Sequence, residues 1–282
     1  MKISEFYNYA QEKLKYMESN ILNNEINILL MDRLNLSFTQ LILSKNKNLS
    51  QEKLEILKKD IDMRCKGNPL QYILGKWQFM DSNFYVGEGV LIPREDTSVL
   101  VNLAVSKTKD KEDLSVIDLC SGTGCIGITI EKISKNIKEV YAIEYSKDAF
   151  KYLLLNIENL KSKVKPINAD IFEEYKNFDD LYFDLIVSNP PYIKRKDIKN
   201  LEREVLFEPA LALDGGEDGL DFYRNICKFW TSKLKKGGYL AFELGIFQFE
   251  DVKNIMHRYG YNCINFERDI NGIERAIIGV KK

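Results

Sequence analysis

Ser115-Val116-Ile117-Asp118-Leu119-Cys120-Ser121-Gly122-Thr123-Gly124-Cys125-Ile126-Gly127 reads as a strand, a tight loop and the first turn of a helix. Val116 and Ile117 are branched residues suited to a buried strand. Gly122 and Gly124 let the backbone turn sharply and approach a ligand closely. Downstream the same alternation continues. Val140–Glu144 is a second strand, Val164–Ile167 a weak third and Phe183–Ser188 a fourth. Tyr239–Leu244 is a fifth, opened by Gly237-Gly238. Helices are expected over about 125–134, 147–160, 219–235 and 247–259. Strand alternating with helix predicts an α/β unit built on a mostly parallel sheet. Cys263–Glu267 and Arg275–Val280 flank Asp269-Ile270-Asn271-Gly272 and predict a final antiparallel pair, making seven strands.

Upstream the texture differs. Residues 1–66 contain neither glycine nor proline, so nothing interrupts helices there. Ile3, Phe6, Tyr7, Ala10, Leu14 and Met17 recur at helical spacing. Ile26, Leu29, Leu30 and Leu34 form a second stripe, and Phe38, Leu41 and Ile42 a short third. Ser50 can cap a fourth helix carrying Leu54, Leu57 and Ile61. A helical bundle over 1–69 is expected, closed by Gly67-Asn68-Pro69. Gln71–Met80 is aromatic and β-prone, Asp81-Ser82-Asn83 is a turn signal, and Phe84–Val86 follows as a strand. A β-hairpin linker over 70–95 is therefore expected. Asp96 or Thr97 can cap the next helix, with Val99, Leu100, Leu103 and Ala104 on its apolar face. The α/β domain then occupies 96–282.

The length of 282 residues suits two domains. With 45% hydrophobic and 29% charged residues, the composition is that of an ordinary globular protein. A net charge of −1 argues against wholesale electrostatic binding of nucleic acid. Cys65, Cys120, Cys125, Cys227 and Cys263 are scattered, and with the lone His257 they form no metal-ligand spacing. The N-terminus is charged and amphipathic, and no apolar run approaches the ~18 residues of a membrane span. The expectation is a reduced, cytoplasmic protein and a monomer.

Two stretches carry the chemistry. Glu144 ends the second strand about twenty residues past Gly124, where a carboxylate can accept both ribose hydroxyls of a nucleoside cofactor. Its bland alternative is a solvated strand-end charge. Gly122-x-Gly124-x-x-Gly127 also matches the dinucleotide fingerprint, whereas S-adenosylmethionine sites use a similar loop with an acid at its start, here Asp118. The second stretch is Asn189-Pro190-Pro191-Tyr192, after the fourth strand. The prolines end the strand and stiffen the chain. The Asn189 side-chain oxygen and the Pro190 carbonyl can accept the two N–H groups of a planar –NH2, and the Tyr192 ring can cover its face. Asn-Pro is also a common turn, but this tip has no evident role in hydride transfer and favours a methyl donor. Cys120 and Cys125 read as small packing residues, and His257 as a surface residue.

Asn189-Pro190-Pro191-Tyr192 after the glycine loop resembles class I amino-methyltransferases acting on planar nitrogen. The helical N-terminus, Asn68-Pro69-Leu70-Gln71-Tyr72-Ile73-Leu74-Gly75, Leu91-Ile92-Pro93-Arg94 and Phe207-Glu208-Pro209 with Ala212-Leu213 narrow this. Together they resemble the PrmC/HemK family of peptide chain release factor glutamine methyltransferases, over essentially the whole chain. The resemblance implies a Rossmann-like class I S-adenosylmethionine-dependent methyltransferase fold. It implies methyl transfer to the side-chain amide nitrogen of the glutamine in the Gly-Gly-Gln motif of class I release factors. It places S-adenosylmethionine against Asp118, Cys120, Ser121, Gly122, Thr123, Gly124, Glu144, Asp170, Ile171 and Asn189. Asn189, Pro190 and Tyr192 would serve catalysis. Pro191, Pro93 and Arg94 would join them in holding substrate, and the bundle would dock the release factor. Neither metal, membrane nor direct nucleic-acid contact is implied. Two departures are visible: Cys120-Ser121 stands where the family often has Gly-Thr, and Glu95 and Ser98 where it often has Pro and Glu. Methylation of adenine in nucleic acid, or a non-catalytic binding protein on the same fold, remain the alternative readings.

Overall fold

The computed structural model describes residues 1–282 and divides into two compact units. The first comprises Met1–Lys76 together with Glu202–Phe207. Its helices are α1 (Ile3–Lys13), α2 (Ser19–Leu34), α3 (Phe38–Ser44), α4 (Gln51–Cys65) and α5 (Leu70–Leu74). The Ser37 and Ser50 hydroxyls accept the N–H groups of Gln40 and Lys53, so α3 and α4 begin where their caps dictate. Phe6, Ala10, Leu14, Ile26, Leu30, Leu57 and Ile61 meet in the core, as their spacing predicts. Arg64 is buried among these helices and is matched by acids. Its Nε and Nη2 donate to Glu25 at 2.6 and 2.9 Å, and Nη2 also pairs with Glu204. Arg203 donates to the Lys66 carbonyl at 2.7 Å. The segment 202–207 is thus secured to α4 and its C-terminal end by two arginines.

Leu70–Leu74 corrects an expectation. The aromatic texture there predicts strand, yet the segment is a helical turn. Pro69 precedes it, where no N–H donor is needed. Gly75, at φ 77°, stops it in the left-handed region and donates to the Gln71 carbonyl at 2.9 Å. The strand begins only afterwards.

The second unit comprises Trp77–Leu201 and Glu208–Lys282. A hairpin of β1 (Lys76–Phe79) and β2 (Ser82–Tyr85) begins at the end of the first unit and continues into the second. Then come α6 (Thr97–Thr108), β3 (Leu114–Leu119), α7 (Cys125–Ile133), β4 (Ile137–Glu144) and α8 (Lys147–Leu160). They are followed by β5 (Lys165–Asn168), α9 (Ile171–Glu174), β6 (Phe183–Ser188), α10 (Asp221–Trp230) and β7 (Leu234–Glu243). α11 (Phe249–Arg258), β8 (Tyr261–Arg268) and β9 (Glu274–Lys281) complete the chain. The seven-stranded sheet has the order β5-β4-β3-β6-β7-β9-β8. β3 lies parallel between β4 and β6, and only the pairings of β9 are antiparallel. Val116, Ile117, Leu185, Ile186 and Val187 are wholly buried, as strands covered on both faces require. Pro166 sits in β5, on the sheet edge where its missing N–H costs little.

Several boundaries differ from the sequence expectation. β7 begins at Leu234, so Gly237-Gly238 lies inside the strand, at an irregularity of its pairing with β6. α10 spans only Asp221–Trp230. Asp96 makes no cap bond to α6; its carboxylate pairs instead with Arg275 at 3.2 Å. No helix is long and apolar enough to cross a membrane.

One buried amide fixes the geometry around the glycine loop. Asn156 of α8 accepts the Tyr85 N–H at 2.6 Å and donates to the Tyr85 carbonyl at 3.1 Å and the Thr123 carbonyl at 3.0 Å. It thereby ties β2 to the β3–α7 loop. Asn156→Leu would leave these three backbone groups without their partner, at ~1–3 kcal/mol per orphaned buried group. Urea unfolding should show a loss of at least ~2 kcal/mol with an unchanged m-value.

Candidate active site

A cavity of about 240 Å³ opens at the C-terminal edge of the parallel strands. It lies where the winding reverses between β3 and β6, the point at which open α/β sheets bind ligands. Its walls come from the ends of four strands: Cys120–Thr123 after β3, Glu144–Ser146 after β4, Asp170–Phe172 after β5, and Asn189 and Pro191 after β6.

In the β3–α7 loop, Cys120, Gly122 and Gly124 all adopt left-handed backbone, at φ 61°, 55° and 80°. Glycine does this freely, whereas a side-chain-bearing residue such as Cys120 is strained by ~1–2 kcal/mol. Gly124 is also required by space, since a Cβ there would lie 2.5 Å from Leu153 Cδ1. The loop is held by Glu144. One carboxylate oxygen accepts the Gly122 N–H at 2.8 Å and the other the Ser146 N–H at 2.7 Å. Burial pushes the Glu144 carboxyl up, against the pull of the Ser146, Gly122 and Tyr145 N–H groups. Each oxygen retains acceptor capacity on the cavity side. Ser121 Oγ, also on the wall, is buried without a hydrogen-bond partner. The Asp170 carboxylate accepts the Phe172 N–H at 2.8 Å and starts α9. Ile171 and Phe172 then face the cavity with Phe222, the two rings lying 5.4 Å apart. A two-oxygen acceptor, an orphaned hydroxyl and an apolar slot fit the ribose, the polar tail and the flat base of a nucleoside cofactor.

The tip is fixed from behind. Gln248 Nε2 donates to the Tyr192 carbonyl at 3.0 Å and the Gly219 carbonyl at 3.1 Å, while its Oε1 accepts the Gly245 N–H at 3.0 Å. Gly215 packs so closely that a Cβ would lie 2.7 Å from Tyr192 Cα. Asn189 lines the cavity, and its Nδ2 donates to Thr97 Oγ1 at 3.5 Å. Pro93 and Arg94 line the opposite region, and Arg94 pairs with the buried Glu208. The second Glu208 oxygen accepts the Ile92 N–H at 3.0 Å. Glu208 therefore holds the Leu91–Arg94 wall in place.

Eleven of the sequence-derived candidates stand on the cavity wall: Pro93, Arg94, Cys120, Ser121, Gly122, Thr123, Glu144, Asp170, Ile171, Asn189 and Pro191. Asp118, Gly124, Pro190 and Tyr192 lie outside the lining. Asp118 is fully buried beneath the loop, where its carboxylate accepts the Gly127 N–H at 2.9 Å. Burial pushes it up to about 8. Tyr192 turns its hydroxyl inward, 3.4 Å from Glu243 Oε1. Burial raises the Tyr192 phenol, and the Glu243 charge adds to the effect. Cys125 is a packing residue whose thiol burial pushes up to about 12. Sequence reasoning passed over Thr97, Phe172, Phe222 and Glu243. Only Glu243 carried a signal, a carboxylate closing a strand as Glu144 does. The two rings become neighbours only through tertiary packing.

Residues 5–75 match the PrmC N-terminal domain family, and residues 102–215 match the family described as conserved hypothetical protein 95. A release factor glutamine methyltransferase of Clostridium acetobutylicum is 35% identical over 284 residues, spanning 100% of this chain and 99% of the relative. One from Clostridium botulinum is 38% identical over 82% of each chain. Among solved structures, a methyltransferase from Pyrococcus furiosus superposes with a TM-score of 0.51 at 19% identity, covering 67% of this chain and 83% of its own, a likeness of fold alone. Full-length similarity, a seven-stranded methyltransferase sheet and an Asn-Pro-Pro-Tyr tip at the C-terminal edge of its parallel strands converge: the chain belongs to the release factor glutamine methyltransferase family.

Proposed function

We propose that this protein methylates the side-chain amide nitrogen of the glutamine in the Gly-Gly-Gln motif of class I release factors, with S-adenosylmethionine as donor. The observation that carries the reading is Asn189 at the cavity wall, its Nδ2 turned to Thr97. A cytoplasmic location accords with a substrate from the translation apparatus.

S-adenosylmethionine supplies a methyl group on a sulfonium. Glu144 holds the ribose hydroxyls, the 120–124 loop and Ser121 the polar tail, and Ile171, Phe172 and Phe222 the base. Asn189 Oδ1 and the Pro190 carbonyl each accept one N–H of the glutamine amide. This orients the nitrogen and draws electron density onto an atom whose lone pair is otherwise delocalised into the carbonyl. Orientation of two reactants is worth up to ~7–11 kcal/mol. No side chain is assigned as general base; the proton departs through the same acceptors or water. Arg94, held by Glu208, lines the substrate side.

The first unit is the docking surface for the body of the release factor. Its support is an apolar face: α3 exposes Phe38, Ile42 and Leu43, the last at 79%. Leu43→Asp should raise KM for intact release factor roughly tenfold, the weight of one interface anchor. KM for a short Gly-Gly-Gln peptide should not change; equal effects on both substrates would remove the docking role.

Transfer of tritium from labelled S-adenosylmethionine is expected onto release factor, and onto neither its Gly-Gly-Glu variant nor duplex DNA. Labelling of the DNA alone would replace the reading with an adenine one. Asn189→Ala should reduce turnover at least ~100-fold, the scale of lost alignment. Glu144→Ala should weaken S-adenosylmethionine binding by roughly 10–100-fold in calorimetry, since hydrogen bonds to a charged acceptor are worth ~1.5–3 kcal/mol.

A further inference from the structure

Two loops at the edge of the sheet that carries the tip present bare apolar side chains. β7 runs parallel to β6, so the turn 245–248 leaves the sheet at the same edge as the 189–192 tip. β9 is antiparallel to β7, with Ala276 opposite Glu243, and β8 ends opposite the start of β9, with Arg268 opposite Glu274. The β8–β9 loop therefore lies at that edge too. Phe247 and Ile270 in these two loops are 94% and 98% exposed, and Ile246 is 54% exposed.

A single exposed apolar side chain is ordinary on a protein surface. These stand apart because the loops that carry them are pinned. Gln248 Oε1 accepts the Gly245 N–H at 3.0 Å while its Nε2 donates to the Tyr192 carbonyl at 3.0 Å, which fastens the first loop to the tip. Asp269 Oδ1 accepts the N–H groups of Asn271 and Ile273 at 2.9 and 3.0 Å, which shapes the second. Arg275 joins the two, its Nη2 donating to Asp269 at 3.0 Å and its Nη1 to the Leu244 carbonyl at 3.3 Å. Phe247 itself has left-handed backbone, at φ 66°, which costs a residue with a side chain. At its exposure, no packing within the chain offsets that cost. Preformed loops lose little freedom on binding, and aromatic rings are enriched at protein interfaces.

Place and charge identify the occupant. A protein that offers a glutamine side chain to the tip also covers the ground beside it. Gly245 abuts the tip so closely that a Cβ there would lie 2.9 Å from Tyr192 Cδ2, so the chain bearing Ile246 and Phe247 starts against the substrate site. Across 244–251 and 269–275 the acids are Glu250, Asp251, Asp269 and Glu274, and the sole cation is Arg275. Arg275 is buried and paired with Asp269 at 3.0 Å and Asp96 at 3.2 Å. Such a surface disfavours a phosphate backbone and suits an apolar protein face.

We propose that Ile246, Phe247 and Ile270 form a docking surface on the catalytic unit for an apolar face of the release factor domain that carries the Gly-Gly-Gln motif. This rests on the reading of the release factor as substrate.

The test uses the full chain with S-adenosylmethionine, intact release factor and a short Gly-Gly-Gln peptide. Phe247→Asp and Ile270→Asp should each raise KM for intact release factor roughly tenfold, the weight of one interface anchor. KM for the peptide and Kd for S-adenosylmethionine should stay within about threefold of wild type. Phe247→Gly suits the left-handed backbone and removes the ring without adding charge; it should raise KM for the release factor with no fall in Tm. Leu181→Asp changes an exposed apolar residue that precedes β6, at the opposite edge of the sheet, and should leave KM unchanged. Unchanged KM for release factor in both aspartate variants would overturn the surface. So would an equal rise for the peptide, or an equal rise in Leu181→Asp. Sedimentation that shows a wild-type dimer turned to monomer by Phe247→Asp, with KM unchanged, would assign the patch to a second copy of this chain instead. Wild-type transfer to release factor separates two failures. If it occurs and the variants match it, only this surface falls. If it does not occur, the reading of the substrate falls and the surface with it.

Discussion

A parallel sheet covered on both faces can carry polar side chains only where its strands end. This constraint governs the catalytic unit. Val116 and Ile117 of β3 and Leu185, Ile186 and Val187 of β6 are wholly buried, and the polar groups that could bind a ligand collect at one edge. Charges at that edge are still largely out of water. Glu144 is held by two backbone N–H groups, Glu208 by an arginine and a backbone N–H, and Glu243 by a hydroxyl and a nearby guanidinium. Each carboxylate is compensated by a group from a different element, so each one also fixes the spacing between two elements. The architecture of the edge and its chemistry have the same cause.

The glycines show the same double use. Gly124 allows the loop its left-handed backbone and also makes room for Leu153. Gly127 would place a Cβ 3.1 Å from Asp118 Oδ2, so the third glycine of the fingerprint serves the approach of α7 to β3. A fingerprint shared with dinucleotide sites therefore reports helix–strand packing as much as ligand identity. What separates the two classes here is the tip after β6, far away in sequence.

Much of this was legible from the residues. The strand–helix alternation, the parallel sheet, the antiparallel end and the wall formed by the loop, Glu144 and Asn189 follow from local pattern, because each is written within a dozen consecutive residues. Features set by distant partners were not legible. Leu70–Leu74 looks like strand by composition and becomes helix because Pro69 and Gly75 bracket it. Asp96 looks like a cap and is drawn to Arg275 from the far end of the chain. Asp118 looks like a ligand and is enclosed beneath the loop it introduces. Thr97 and Glu243 reach Asn189 and Tyr192 only because α6 and β7 bring them to the back of the tip, a proximity that no spacing along the chain encodes.

The short segment Glu202–Phe207 has a consequence for the molecule's modularity. It lies in the sequence of the catalytic unit yet belongs to the helical one, secured by Arg64 and Arg203. The helical unit is therefore discontinuous, and the peptide passes between the two units three times, after residues 76, 201 and 207. A recombination event that exchanged only the N-terminal helices would carry Glu25 along with its buried arginine but leave behind Glu204 and Arg203, the partners that come from the later segment. The helical unit is complete only when that later segment accompanies it.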